Sequence, residues 1–113
     1  MTYSLMTGVE VLAIDSAAAI PADGAVSSGY AVPASITNLQ IRIFPVGTFD
    51  TLVVVVQTAN NDVAAQYGDV YSSSAAAGEI VVVPFYAGNF VRIKVTSSTG
   101  ASRTGLTVGI VGK

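Results

Sequence analysis

The 113-residue chain contains no histidine, no cysteine and no tryptophan. Histidine is the usual proton shuttle near neutral pH. Cysteine and histidine lead the ligands for zinc and other soft metals. Their absence removes the commonest routes to nucleophilic, acid–base and zinc chemistry. It also removes any disulfide framework, which fits a reducing compartment or a scaffold that needs no crosslink. Charge is scarce too: five basic and seven acidic residues make up 11% of the chain and leave a net charge of −2. Arg42, Arg92, Lys94, Arg103 and Lys113 are scattered, whereas duplex nucleic acid calls for a dense basic stripe. No nucleic-acid partner is expected. The longest apolar runs, Leu52–Val56 and Ile80–Tyr86, fall far short of the ~18 residues that a membrane-crossing helix needs, so no membrane partner is expected either. Met1–Gly8 carries no basic residue and does not read as a secretory leader.

What remains is 51% hydrophobic, with a mean hydropathy of +0.63. The length suits one domain with a core that needs no staples. High apolar content with little charge points to surface buried against other chains. The plainer alternative is a two-layer β core in which Val and Ala inflate the score.

Apolar and polar residues alternate with the period of two that marks strands. Val9, Val11 and Ala13 form one such series. Leu39, Ile41 and Ile43 oppose Gln40 and Arg42. Val91, Ile93 and Val95 oppose Arg92, Lys94 and Thr96. Leu106, Val108 and Ile110 alternate with Thr107 and Gly109. Leu52–Val56 and Ile80–Val83 are apolar on both faces, so each is expected to be covered on both sides or to lie at a subunit contact. Turn signals separate the runs: Pro21–Gly24, Pro45–Gly47, Asn60–Asp62, Ala87–Asn89 and Ser97–Gly100. Helix is expected to be almost absent. The pattern predicts an all-β chain, a two-sheet antiparallel β-sandwich of jelly-roll-like form. Seven or eight strands are expected near 9–14, 25–32, 36–44, 51–58, 68–72, 79–84, 90–96 and 105–111. Residues 1–8 read as an N-terminal arm and 9–113 as a single sandwich domain.

Catalytic chemistry would have to use carboxylates: Glu10, Asp15, Asp23, Asp50, Asp62, Asp69 and Glu79. Most sit in turn-like contexts, where Asp bonds its own backbone, and no spacing marks a pair. Asn60, Asn61 and Asp62, with Asp69 nearby, lack the pattern of a calcium loop and read as an Asx-rich turn. Gly100–Gly105 lacks the lysine and the following helix of a phosphate loop. No catalytic, cofactor-binding or metal-ligating residue is expected, and no cofactor. Phe residues are expected to seal the ends of the core, with Tyr at its rim.

Three stretches carry a resemblance. They are Asn38-Leu39-Gln40-Ile41, the run Asp50–Thr58 leading into Asn60-Asn61-Asp62, and Pro84-Phe85 followed by Asn89–Thr96. In them the segment Leu39–Val95, about half the chain, resembles small β-sandwich virion proteins of tailed bacteriophages. Val53, Val55 and Val83 make this version more apolar than that pattern. The resemblance implies a non-enzymatic capsid cement or decoration subunit on the virion surface, assembled in the host cytoplasm. It implies a homo-oligomer, a trimer first, bound to the major capsid protein. Tyr3, Leu5 and Met6 of the arm, with Phe85, Tyr86 and Phe90, are the candidate partner-interface residues. The alternative is a carbohydrate-binding or tail and neck module on the virion, with Tyr67 and Tyr71 as a sugar platform.

Overall fold

The computed structural model describes residues 3–14, 25–45, 51–73, 79–84, 89–99 and 106–113. Among these residues lie ten strands and one 3-10 turn: β1 (Tyr3–Ser4), β2 (Glu10–Ile14), β3 (Ala25–Val26), β4 (Tyr30–Ala31), β5 (Asn38–Pro45), β6 (Thr51–Ala59), β7 (Gly68–Ser73), β8 (Glu79–Pro84), β9 (Phe90–Thr99) and β10 (Leu106–Gly112), with the turn at Ala64–Gln66. All eight expected spans carry strand. The one expected at 25–32 is broken into β3 and β4 by Ser27–Gly29. Both pieces still pair with β9, because the Ser27 N–H donates to the Ile93 carbonyl and the Ser27 hydroxyl accepts from the Ile93 N–H.

The first sheet runs β1-β4-β9-β6-β7, with β3 beside β4 on β9. The second runs β2-β10-β5-β8. Treating β3 and β4 as one interrupted strand leaves two four-stranded antiparallel sheets, with β1 added parallel to β4. Successive strands change sheet at every step from β2 to β10 except the β6–β7 hairpin. That alternation is the double Greek key of a jelly roll.

The core lies between the sheets and is built from the alternating positions. Leu39, Ile41 and Ile43 of β5, Leu106, Val108 and Ile110 of β10, Val54 and Val56 of β6, and Val91, Ile93 and Val95 of β9 are all buried. Their β-branched side chains suit a pleated, packed layer. Val55, on the outward side of β6, is also buried, so this strand is covered on both faces as its unbroken apolar run requires. β8 differs: Val83 is buried but Val82 is 62% exposed. Phe44 departs from its expected place sealing the core. It follows Ile43 in the alternation, so it points outward and is 54% exposed.

The segment expected as an arm is docked where it is described. β1 pairs with β4, and the Leu5 N–H donates to the Ala31 carbonyl at 2.9 Å. Leu5 is 1% exposed, inside the core. Thr7 then bridges to Gly112, and the Gly8 N–H donates to the Gly112 carbonyl at 2.8 Å. The strap thus ties the first sheet to the second, with Leu5 in the buried core cluster between them.

Truncating a side chain in this layer leaves a cavity. Ile93→Ala, at a fully buried position, should lower unfolding free energy by about 2–5 kcal/mol. Val63→Ala, at an exposed position, should stay within about 0.5 kcal/mol. Denaturant melts of the two variants check this.

Candidate functional site

The two outer faces differ in chemistry. On the first sheet, Arg92 and Lys94 of β9 point away from the core, opposite Gln57 and Val55 of β6. The Arg92 Nε donates to Gln57 Oε1 at 2.8 Å, and Gln57 Nε2 donates to Asp69 Oδ1 at 2.7 Å. Gln57 is 5% exposed, so both ends of its amide need partners and both have them. The Arg92 guanidinium lies 4.0 Å from the centre of the Tyr67 ring, a cation–π contact. The Tyr67 hydroxyl donates to Asp62 Oδ1 at 2.7 Å. Gly29 is buried beneath this pair, and a Cβ there would collide with the Asp62 carboxylate and the Tyr67 hydroxyl. The chain Asp62–Tyr67–Arg92–Gln57–Asp69 therefore clamps β9, β6, β7 and the 60–67 connection. Burial and the acceptor carboxylate of Asp62 hold the Tyr67 phenol well above its ordinary value, and Arg92 opposes them only in part.

Beside this chain is a shallow hollow of about 420 Å³ lined by Thr58, Ala59, Asn60, Gln66, Gly68, Asp69 and Val70. Asn61 Nδ2 donates to Gln66 Oε1 at 3.1 Å and the Val63 N–H donates to the Asn61 carbonyl at 2.7 Å, so the Asn60–Asp62 stretch bends within the connection between β6 and β7. Among the described residues no three carboxylates converge as metal ligands would. Tyr67 and Tyr71 do not form a shared platform. Tyr71 packs against the core, while Tyr67 lies under Arg92.

The outer face of the second sheet carries exposed apolar side chains among the polar Glu10, Gln40 and Arg42. Leu12 of β2 (46% exposed), Phe44 of β5 and Val82 of β8 stand on it, with Val111 of β10 half-buried between them. The Arg42 guanidinium meets Glu10 Oε1 at 2.8 Å. Gly109 makes this possible, because a Cβ there would collide with the Glu10 carboxylate. Both partners are partly exposed, so the pair is worth about 0.2–1 kcal/mol. Its larger effect is to neutralise the charge on this face. Glu10, Gln40, Arg42 and Val111 enclose a depression of about 300 Å³.

Of the candidate interface residues, Leu5 is given to the core and Met6 is 66% exposed on the strap. Phe90 is half-buried at the start of β9, in the same cross-strand row as Ala31 and Ser4. Tyr3 contributes backbone pairing to Tyr30. Phe85 and Tyr86 lie outside the described residues. Of the four that are described, Leu5 is taken up by the core, so those four do not form one exposed patch. Leu12, Phe44 and Val82 were not singled out as site residues, although the outward position of Leu12 and Phe44 follows from the alternation. The polar chain through Gln57 had no such signal, since an isolated glutamine inside an apolar run marks nothing by spacing.

No family model, no curated protein and no solved structure matches this chain.

The raised Tyr67 phenol has a consequence at alkaline pH. A proton held more tightly in the folded state stabilises it fully below the ordinary tyrosine value of 10.0. That contribution is lost as pH rises from there through the raised folded value. Phenolate absorbance should show Tyr67 ionising later than an ordinary tyrosine, and Tyr67→Phe should remove that late step and flatten the alkaline loss of stability.

Proposed function

We propose that this chain is a non-enzymatic structural subunit of a virion, a capsid cement or decoration protein that binds and stabilises an assembled bacteriophage head. The observation that carries the reading is the outer face of the second sheet. Leu12, Phe44 and Val82 stand exposed there around a single ion pair that cancels its own charge. Exposed apolar side chains of this kind are costly to leave in water and suit burial against protein. The jelly-roll topology is compatible with this role but does not select it, because one fold hosts many functions. The resemblance of Leu39–Val95 to phage virion proteins supplies the choice of partner, the major capsid protein.

A second reading has one observation in its favour. The hollow beside Asp69 is lined by Asn60, Gln66 and Asp69 as well as Thr58, residue types whose amides and carboxylate give the donor and acceptor mix that a sugar would need. In this reading the chain is a glycan-binding module, with the hollow in place of the tyrosine platform.

Co-sedimentation with purified phage head shells separates the two. The protein should pellet with shells, and Leu12→Lys combined with Phe44→Glu should release it by at least about tenfold in affinity, since charge on an apolar contact leaves an unpaired ion. Failure of the unaltered protein to pellet with any shell, together with glycan-array binding that Asp69→Ala abolishes, would favour the second reading.

A further inference from the structure

The edges of the two sheets are not equally protected. An open edge offers unpaired N–H and C=O groups to any other strand, and proteins blunt such edges with bulges, charges or brevity. β1 is only two residues long. β7 and β2 each carry a register shift against their neighbours, at Val56/Gln57 and Val108/Gly109. β8 has no bulge and is not short, and its one charge and its proline stand only at its two ends, Glu79 and Pro84. It pairs with β5 over six residues in unbroken register, and β5 is its only strand partner among the described residues.

The open groups on β8 can be assigned. The Asn38 N–H donates to the Lys113 carbonyl, and the Lys113 N–H donates to the Asn38 carbonyl. Asn38 therefore points its main-chain groups away from β8. Alternation along an antiparallel strand then turns those of Gln40 and Arg42 the same way and those of Leu39, Ile41 and Ile43 toward β8. Their register partners Val83, Val81 and Glu79 are thus occupied. Ile80 and Val82 turn their N–H and C=O groups outward. Pro84 falls where an N–H would also face out, the one place in a strand where proline costs no ladder bond.

We infer that this edge pairs with the same edge of a second copy of the chain, antiparallel about a two-fold axis at Val81. In that register Ile80 of one copy faces Val82 of the other, and each pair exchanges both of its main-chain bonds. Every outward group of Ile80 and Val82 is then satisfied on both copies. The edge is self-complementary in charge as well. Its single charged residue, Glu79, faces Val83 of the other copy. The two Glu79 positions lie about 14 Å apart along the ladder at about 3.4 Å per residue, beyond the screening length of physiological salt. The two second sheets become one continuous sheet, with the Val82 side chains on its outer face. The resemblance implies three chains, whereas this edge closes on two. The pairing does not depend on capsid binding and is read on the isolated protein.

Sedimentation of the full chain across a concentration series should show a species of twice the monomer mass. Amide exchange should show Ile80 and Val82 gaining protection as concentration rises, while Val81 and Val83, already bonded to β5, stay protected throughout. Val82→Lys keeps an exposed side-chain position and places the natural edge-blocking residue there. It should weaken the dimer by at least about tenfold, and Val82→Pro, which removes one outward N–H per copy, should do likewise. Val70→Lys, on the bulged β7 edge, should leave the dimer unchanged. A monomer at every concentration would overturn the inference. So would a three-chain species, or a dimer in which the Ile80 and Val82 amides exchange freely.

Discussion

The layer of branched aliphatic side chains between the two sheets decides where everything else in this molecule stands. Leu39, Ile41 and Ile43 meet Val91, Ile93 and Val95 through Val54, Val56, Val108 and Ile110. Strand side chains alternate strictly, so a slip of one residue would turn a whole buried set out to water. Burial of this layer therefore fixes each register, and each register fixes what the outer faces present. Arg92 and Lys94 face out because Ile93 faces in. Gln40, Arg42 and Phe44 face out because Ile41 and Ile43 face in.

The two outer faces answer that constraint in different ways. The first sheet covers part of its own. Gln57 is buried on it, held at both ends, and the Arg92–Tyr67 stack with the Asp62 bond closes over β9. Such a chain is valuable only when complete, since a buried amide with one free end costs more than its bonds return. The second sheet leaves Leu12, Phe44 and Val82 uncovered around an ion pair that needs no outside partner. Val26 and Val70 also stand exposed on the first sheet, but the larger Leu12 and Phe44 and the most exposed strand valine, Val82, lie on the second, and that difference directs the functional reading there.

Much of this was legible from residue order. The alternation at Leu39–Ile43, Val91–Val95 and Leu106–Ile110 marked both the strands and their buried sides. The unbroken Leu52–Val56 run correctly indicated a strand hidden on both faces. Three features escaped for physical reasons. Ser27–Gly29 interrupts a strand through a hydroxyl that binds across to Ile93, a tertiary contact that no local pattern carries. Leu5 is an isolated apolar residue in a short segment, and its burial follows from the docking of that segment on β4 and β10, a tertiary contact. Phe44 was expected to help seal an end of the core, but parity along β5 turned it outward. The candidate site was less legible than the fold, because the open face is defined by what fails to cover it.

The order of strands also sets the timetable of assembly. β9 lies between β4 and β6 in the first sheet, and β10 lies between β2 and β5 in the second. Neither sheet can be continuous until residues 90–112 have been made. Before that, the β6–β7 hairpin is the main locally closed unit, and every other pairing must wait for a distant segment to arrive. A nascent chain must therefore carry its valine-rich strands uncovered until β9 and β10 have been made, and its yield in the cell depends on how well they are shielded during that interval.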